Sequence, residues 1–324
     1  MTIELNKIIK DWIKECGRRE NQRQEVIENS GGKLFEFGSY RLGVHSPGTD
    51  IDALCLAPRH IDRDKHFFGI LPDILRNTPG VEKLIEVKEA FVPCIKMIYK
   101  NVDIDLLFAR VEYKEIPDNF ESLQDDSILR NCDSNSIKSL NGRRATDAIL
   151  EHVKNNLTTF QLTLRCIKLW AKNRGIYSNV FGYCGGVAYA ILVAYICKEN
   201  PQLETCQLLD TFFRYYRYRD WNCNNPIHLG PIKNDTAMVQ FPIDEALFYK
   251  QDQNADFFPI ITPAFPSMNS TYNVSLTTRN IMITEIEKAM EITKHMMKQK
   301  TNNKISWKRL FKKFPFFKAF SHFI

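Results

Sequence analysis

Along the first sixteen residues the apolar side chains fall at Leu5, Ile8, Ile9, Trp12, Ile13 and Cys16, with charged residues between them. Intervals of three and four predict an amphipathic helix over residues 3–16 that buries one face. Gly31-Gly32 stops that region, and the pattern then changes. Lys33 to Phe37 reads as a short strand ending at Gly38-Ser39, Pro47-Gly48 as a turn, and Asp50 to Leu56 as a second strand. Residues 62–76 carry helical spacing. A strand pair follows over 84–98 and 101–110, broken near Lys100-Asn101, and the strand signal fades after residue 115. Beyond it, Phe160, Leu164, Ile167 and Ala171 predict a helix over 158–174, and further helices are read at 185–198, 203–217 and 276–299. Pro226, Pro231, Pro242, Pro259, Pro263 and Pro266 mark an ordered loop between the last two. The fold class this predicts is α+β: a mixed-sheet module followed by a mostly helical one.

Composition narrows the class without naming a function. The chain has 324 residues, room for two or three domains with full cores, and its 44% hydrophobic and 25% charged residues exclude a disordered polymer. Nine cysteines are scattered with no C-x-x-C pair, so neither a zinc knuckle nor a disulfide framework is indicated, and a reducing compartment is expected. The N-terminus mixes charge with apolar residues and does not read as a signal peptide. The longest nearly apolar run, Gly185 to Cys197, is too short to span a bilayer and reads as a buried helix, so no membrane partner is expected.

Charge is unevenly placed. Lys294 to Ile324 holds nine Lys/Arg and no Asp/Glu, so the rest of the chain sums to −3 although the whole carries +6. Such a stretch suits a polyanion, and equally a solvated helix face. Its last part, KRLFKKFPFFKAFSHFI, holds six phenylalanines, which normally pack into something.

The chemistry is concentrated in carboxylates. Asp50 and Asp52 sit two apart in DIDALCL, and on a strand such residues point to one face. Asp103 and Asp105 in NVDIDLLFAR repeat the arrangement, so up to four carboxylates are expected to converge. Bare, that cluster is repulsive. Two divalent cations about 3.5–4 Å apart would relieve it, and could activate a hydroxyl nucleophile and stabilise a leaving pyrophosphate. Hard oxygen ligands favour Mg²⁺ or Mn²⁺ over zinc. Either D-x-D alone is as well explained by solvated aspartates; two together, bordered by apolar runs, are not. The Gly38-Ser39 turn, eleven residues before Asp50, offers backbone N–H groups and a hydroxyl to phosphate.

Read together, FEFGSYRLGVHSPGTDIDALCLAPRHIDR resembles the nucleotide-binding signature of eukaryotic poly(A) polymerases, within the polymerase-β-like nucleotidyltransferase superfamily. EAFVPCIKMIYKNVDIDLLFAR resembles the third-carboxylate strand. SIKSLNGRRATDAIL, FQLTLRCIKLWAKNRGIYSNVFGYCGGVAYAILVA and PIITPAFPSMNSTYNVSLTTR resemble later family segments in order and spacing, nearly end to end.

The resemblance implies a palm-like nucleotidyltransferase domain over 31–140 after an N-terminal helical segment, 1–30. It implies a helical central domain over 141–300, and at 301–324 the basic, phenylalanine-rich opening of an RNA-binding domain whose remainder is expected to be absent, as is an extra N-terminal segment. Asp50, Asp52 and Asp105 would be catalytic ligands for two Mg²⁺ or Mn²⁺ ions, with Asp103 auxiliary. Phe37 and Ser39 would line the nucleotide pocket. Asn141, Lys168, Lys172, Tyr177, Gly185, Gly186 and Val187 match ATP-contacting positions, and Thr262 the base edge. Taken singly, Lys168 and Lys172 read as a solvated helix face, Tyr177 as a core aromatic and Gly185-Gly186 as a helix contact.

The implied reaction is attack of an RNA 3′-hydroxyl on the α-phosphorus of ATP, with pyrophosphate leaving and no template. The implied partners are the RNA 3′ end, ATP and the cleavage and polyadenylation machinery, for a monomer in the nucleus or else the cytoplasm. Competing readings are a terminal uridylyltransferase, a CCA-adding enzyme, a signalling nucleotidyltransferase and a non-catalytic RNA-binding remnant.

Overall fold

The computed structural model describes residues 1–46, 48–232, 241–298 and 304–313. Pro47 of the expected turn and the phenylalanine-rich tail beyond residue 313 lie outside them. Two compact units divide the described chain: residues 1–147 with 241–247, and 148–232 with the described residues of 248–313.

The first unit opens with α1 (Thr2–Arg19) and α2 (Gln24–Asn29), then β1 (Lys33–Phe37), a single-turn α3 (Gly38–Arg41) and β2 (Ile51–Ala57). α4 (Leu71–Arg76), β3 (Val81–Val87), β4 (Cys94–Tyr99) and β5 (Val102–Arg110) follow, and α5 (Ser134–Val153) begins in this unit. The strands form one mixed sheet in the order β1-β2-β5-β4-β3; β2 and β5 are parallel and all other pairs antiparallel.

The apolar stripe of α1 behaves as its spacing predicts. Leu5, Ile9, Trp12, Ile13 and Cys16 share one core with Ala53, Cys55 and Ala57 of β2 and Ile104, Leu106 and Phe108 of β5. Trp12 meets the edges of Phe67 and Phe108 at centroid distances of 6.3 and 6.4 Å. Because strand side chains alternate, the residues between these, Asp52 and Asp105 among them, face the other side of the sheet. That parity fixes where the chemistry can lie.

Two sequence expectations need correction. The run 84–98 is not one strand: the chain reverses after Val87 and returns as β4, with Val87 paired to Cys94. Residues 62–76 are a π-helical turn, Arg63–Phe67, and then α4, separated at Gly69, where a Cβ would strike the Lys65 carbonyl.

In the second unit stand α6 (Leu157–Arg174), α7 (Gly186–Glu199), α8 (Thr205–Tyr218), α9 (Leu276–Lys298) and α10 (Lys304–Leu310). α6 stops at Gly175, in the left-handed region (φ 72°), whose N–H donates to the Lys172 carbonyl at 3.2 Å. α7 is buried from Ala188 to Val193 without a polar face, as its composition implies. α8 starts with reciprocal bonds between Glu204 and Gln207 and packs on α9 and α6. Glu204→Ala is expected to lower stability by about 1 kcal/mol in urea titration, since it strands a backbone N–H of the first turn; an unchanged midpoint would show that water caps this end equally well. No helix among the described residues is long and apolar enough to cross a membrane. All nine cysteines are free thiols, and burial pushes those of Cys16, Cys132 and Cys197 up to about 12.

Candidate active site

β2 and β5 pair in register, setting Asp52 directly beside Asp105. Both are half-buried, on the sheet face opposite α1. Asp50, expected on the strand, instead stands one residue before β2 and is exposed. Its carboxylate still reaches the other two: ligand oxygens of Asp50, Asp52 and Asp105 lie within 4.8 Å of one another. The expected fourth carboxylate is not among them. Asp103 lies two residues back along β5, a step of about 6.6 Å, and is exposed.

The donor set is three carboxylates and nothing softer, which suits Mg²⁺ or Mn²⁺ and not zinc. Anions drawn this close oppose one another unless a cation sits among them. One protein cation does approach. Lys96 of β4 pairs across the strand with Asp105 and donates its ammonium to that carboxylate. Burial works against its charge, yet the hydrogen bond and the charge of Asp105 hold Lys96 above the usual lysine range. The sheet thus aligns Phe37, Asp52, Asp105 and Lys96 in one lateral row across four strands.

Sequence reading missed Lys96, although a signal exists. Lys100 and Asn101 both have positive φ, 51° and 64°, and make a two-residue hairpin turn. Counting outward pairs Tyr99 with Val102, Ile98 with Asp103, and Lys96 with Asp105.

The turn after β1 is built against this row. Gly38 has φ +60°, and a Cβ on it would collide with the Asp52 carboxylate. Its N–H, expected to be open to phosphate, is taken: it donates to Thr146 Oγ1 of α5 at 3.2 Å, and Thr146 donates in turn to the Gly142 carbonyl at 2.8 Å. Ser39 sits half-buried in the first turn of α3. Phe37 is 8% exposed, its ring so close to Gly142 that a Cβ there would lie 2.8 Å away. Arg143 lies over Phe35 at 5.3 Å, and Asn141 is buried on the same helix. α5 therefore clamps the β1 end of the carboxylate face.

The remaining sequence candidates belong to the second unit. Lys172 and Tyr177 line a cavity of about 480 Å³ with Gly175, Phe181 and Tyr183. The Lys172 ammonium sits 5.2 Å from the Tyr177 ring centre, and that ring stacks at 5.8 Å on Tyr189. A Cβ on Gly186 would lie 3.1 Å from the Tyr177 hydroxyl, and one on Gly185 3.0 Å from the Asn179 side chain. Lys168 is half-buried one turn before Lys172, and Val187 is 37% exposed at the start of α7. Thr262 is elsewhere in this unit, in a loop closed by its reciprocal bonds with Met268; neither Lys168, Val187 nor Thr262 lines the Tyr177 cavity.

Comparison with known proteins agrees across both units. The profile of the poly(A) polymerase nucleotidyltransferase domain matches residues 3–153, and that of the poly(A) polymerase central domain matches residues 159–313. The poly(A) polymerase of Dictyostelium discoideum is 41% identical over 321 residues, which are 99% of this chain and 38% of that protein. Nuclear poly(A) polymerase 1 of Arabidopsis thaliana is 41% identical over 320 residues, 99% of this chain and 43% of that one. The chain thus spans about two fifths of the length of these relatives. Among solved structures, a cytoplasmic RNA terminal U-transferase shares the fold, with a TM-score of 0.61 at 16% identity over 94% of this chain and 90% of the other.

Proposed function

Because this chain belongs to the poly(A) polymerase family, we propose that it transfers AMP from ATP to the 3′ end of RNA without a template, releasing pyrophosphate. The observation that carries this reading is the gathering of three carboxylates, from β5 and the start of β2, against the Gly38-Ser39 turn.

Asp50, Asp52 and Asp105 are the residues that would hold Mg²⁺ or Mn²⁺, which when bound would lower the pKa of the attacking 3′-hydroxyl and stabilise charge on the phosphates. The chain's own part is positional. The parallel register of β2 and β5 holds Asp52 and Asp105 side by side, and the glycine turn keeps the Asp52 carboxylate against the backbone. Ser39 and the edge of Phe37 border the nucleotide. Lys168 and Lys172 offset charge on the triphosphate. Tyr177, held between Tyr189 and Lys172, keeps the ribose oriented. Gly185 and Gly186 admit the nucleotide close to the backbone, Val187 presses on the adenine face, and Asn141 and Thr262 serve polar edges of the nucleotide. No residue has to read a template, so adenine is selected by the pocket.

We assign residues 31–140, with 141–147 and 241–247 that group with them, to the catalytic domain, and 148–232 with 248–298 to the central domain. A monomer in the nucleus, working on RNA with the cleavage and polyadenylation machinery, fits the relatives, one of which is a nuclear enzyme by name.

Extension of an oligo(A) primer with each of the four NTPs, with and without Mg²⁺ or Mn²⁺, tests the reading. ATP should be the preferred substrate and chelation should stop the reaction. Preference for UTP would move the protein to the uridylyltransferases, and a chain that extends with no nucleotide in either metal would sink the proposal.

A further inference from the structure

α8 carries an unusual run, Arg214-Tyr215-Tyr216-Arg217-Tyr218-Arg219. Tyr216 explains itself: it is fully buried, and its hydroxyl donates to the Leu192 carbonyl at 2.8 Å. Its neighbours in the run do not serve the core. Arg214 and Tyr218 are exposed, Tyr218 to 72%, and Tyr215, Arg217 and Arg219 are half-buried. Arg214, Tyr215 and Tyr218 fall at helical spacing on one stripe. With Arg219 and Asp220 they line a groove of about 480 Å³. It shares no residue with the Tyr177 cavity.

The groove floor is rigid. The Tyr215 hydroxyl accepts from Arg219 Nη1 at 2.8 Å and donates to the Tyr195 hydroxyl at 3.2 Å. Arg219 Nη2 donates to both Asn225 oxygens at 2.7 Å. Its guanidinium lies 5.7 Å from the Tyr215 ring centre and 5.6 Å from that of Trp221. A fixed aromatic ring, a fixed guanidinium plane and an exposed second ring at Tyr218 therefore stand along one stripe. Arg217 lies 5.8 Å from the Tyr218 ring centre, and Arg214, tethered to Asp210 from a side chain 62% exposed, stands at the groove.

We propose that this groove binds single-stranded RNA away from its reacting 3′ end: bases stack on Tyr218 and the Tyr215–Arg219 shelf, while Arg214 takes a phosphate. Two features favour RNA over an acidic peptide. Stacking surfaces alternate with cations, the combination that single-stranded nucleic acid needs because each of its units offers both a π-face and a charge. Asp220 repels backbone phosphates and peptide carboxylates alike, but it accepts from a base amino group, which an acidic side chain does not offer. The inference rests on the polymerase reading only in taking RNA as the substrate.

The test uses the whole chain, with Tyr218→Ala, at a side chain 72% exposed, and Arg214→Gln, whose amide can still donate to the buried Asp210, and a thermal melt of each variant checks the fold. Fluorescence anisotropy measures binding of labelled oligo(A) and of a poly-glutamate peptide. Steady-state extension compares a short primer with one several times longer. Tyr218→Ala should raise Kd and the long-primer KM about tenfold, leaving kcat and the short-primer KM unchanged. Arg214→Gln should reduce the slope of log K against log salt by about 0.7. Unchanged long-RNA binding in both variants overturns the proposal, as does an equal loss on short and long primers, or a loss confined to the peptide. If the wild type extends neither primer, the polymerase reading fails, and the anisotropy arm still decides the groove.

Discussion

Asp52→Ala is expected to cut nucleotidyl transfer by at least about 10³-fold, some 4 kcal/mol of transition-state stabilisation, without lowering the melting temperature. Asp52 is the central member of the cluster. It pairs in register with Asp105 on one side and with Phe37 on the other, and only β2 carries it between them. Removing it takes away a ligand shared by the arrangement and relieves repulsion among the carboxylates that remain. The protein should therefore be inactive and no less stable. Primer extension and a thermal melt on the same preparation separate these effects. Activity within tenfold of the wild type would show that the cluster is not the metal site; inactivity together with unfolding would make Asp52 a structural residue.

The second large effect is expected at Gly38. Gly38→Ala forces an L side chain into φ +60°, which costs about 1–2 kcal/mol, and drives a Cβ into the Asp52 carboxylate. A displaced ligand of about 1 Å is enough to lose roughly 10²-fold in rate. Gly48 supplies the control. It has φ +77°, yet among the described residues nothing lies within 4 Å of where its Cβ would stand. Gly48→Ala should lose comparable stability while keeping its activity. If the two variants lose activity equally, the contact with Asp52 is not what the turn is for, and flexibility of the segment would have to replace it.

These expectations mark how far the site was readable. The D-x-D pairs were visible because strand alternation is a local rule, and local rules need no partner. The same rule overreached at Asp103. Parity gives the face but not the distance: Asp50, just before β2, reaches the cluster, whereas Asp103, equally two residues from its neighbouring aspartate, does not. Lys96 lies on a strand read only as half of 84–98, and its pairing with Asp105 follows only once Lys100-Asn101 is known to be a two-residue hairpin turn between antiparallel neighbours.

α5 was missed as a helix for a different reason. Its buried side includes Ser136, Ser139, Asn141, Arg143, Arg144 and Thr146 as well as Ile137, Leu140 and Ile149, so no apolar stripe shows. Those polar groups are tolerable inside only because partners meet them: Asp126 takes Arg144, Asp147 takes Arg143 at 2.7 Å, and Arg63 reaches Ser136 at 3.1 Å. Asp126 and Arg63 lie outside the helix, beyond what a local pattern can encode.

The linear order of residues, by itself, determined the helices with one apolar face, the sheet-then-helices order, the parity of the aspartates and, through long shared segments, the family. Tertiary structure alone decided that β2 and β5 are parallel neighbours, that three carboxylates meet and a fourth does not, that Lys96 faces Asp105, and that Gly38 is occupied by its contact with Asp52. The division has one physical cause. Periodicity and turn chemistry act within a few residues, whereas strand register, charge neutralisation and close packing join residues on different elements, nine apart for Lys96 and Asp105 and 53 apart for Asp52 and Asp105, and exist only once the chain has closed on itself.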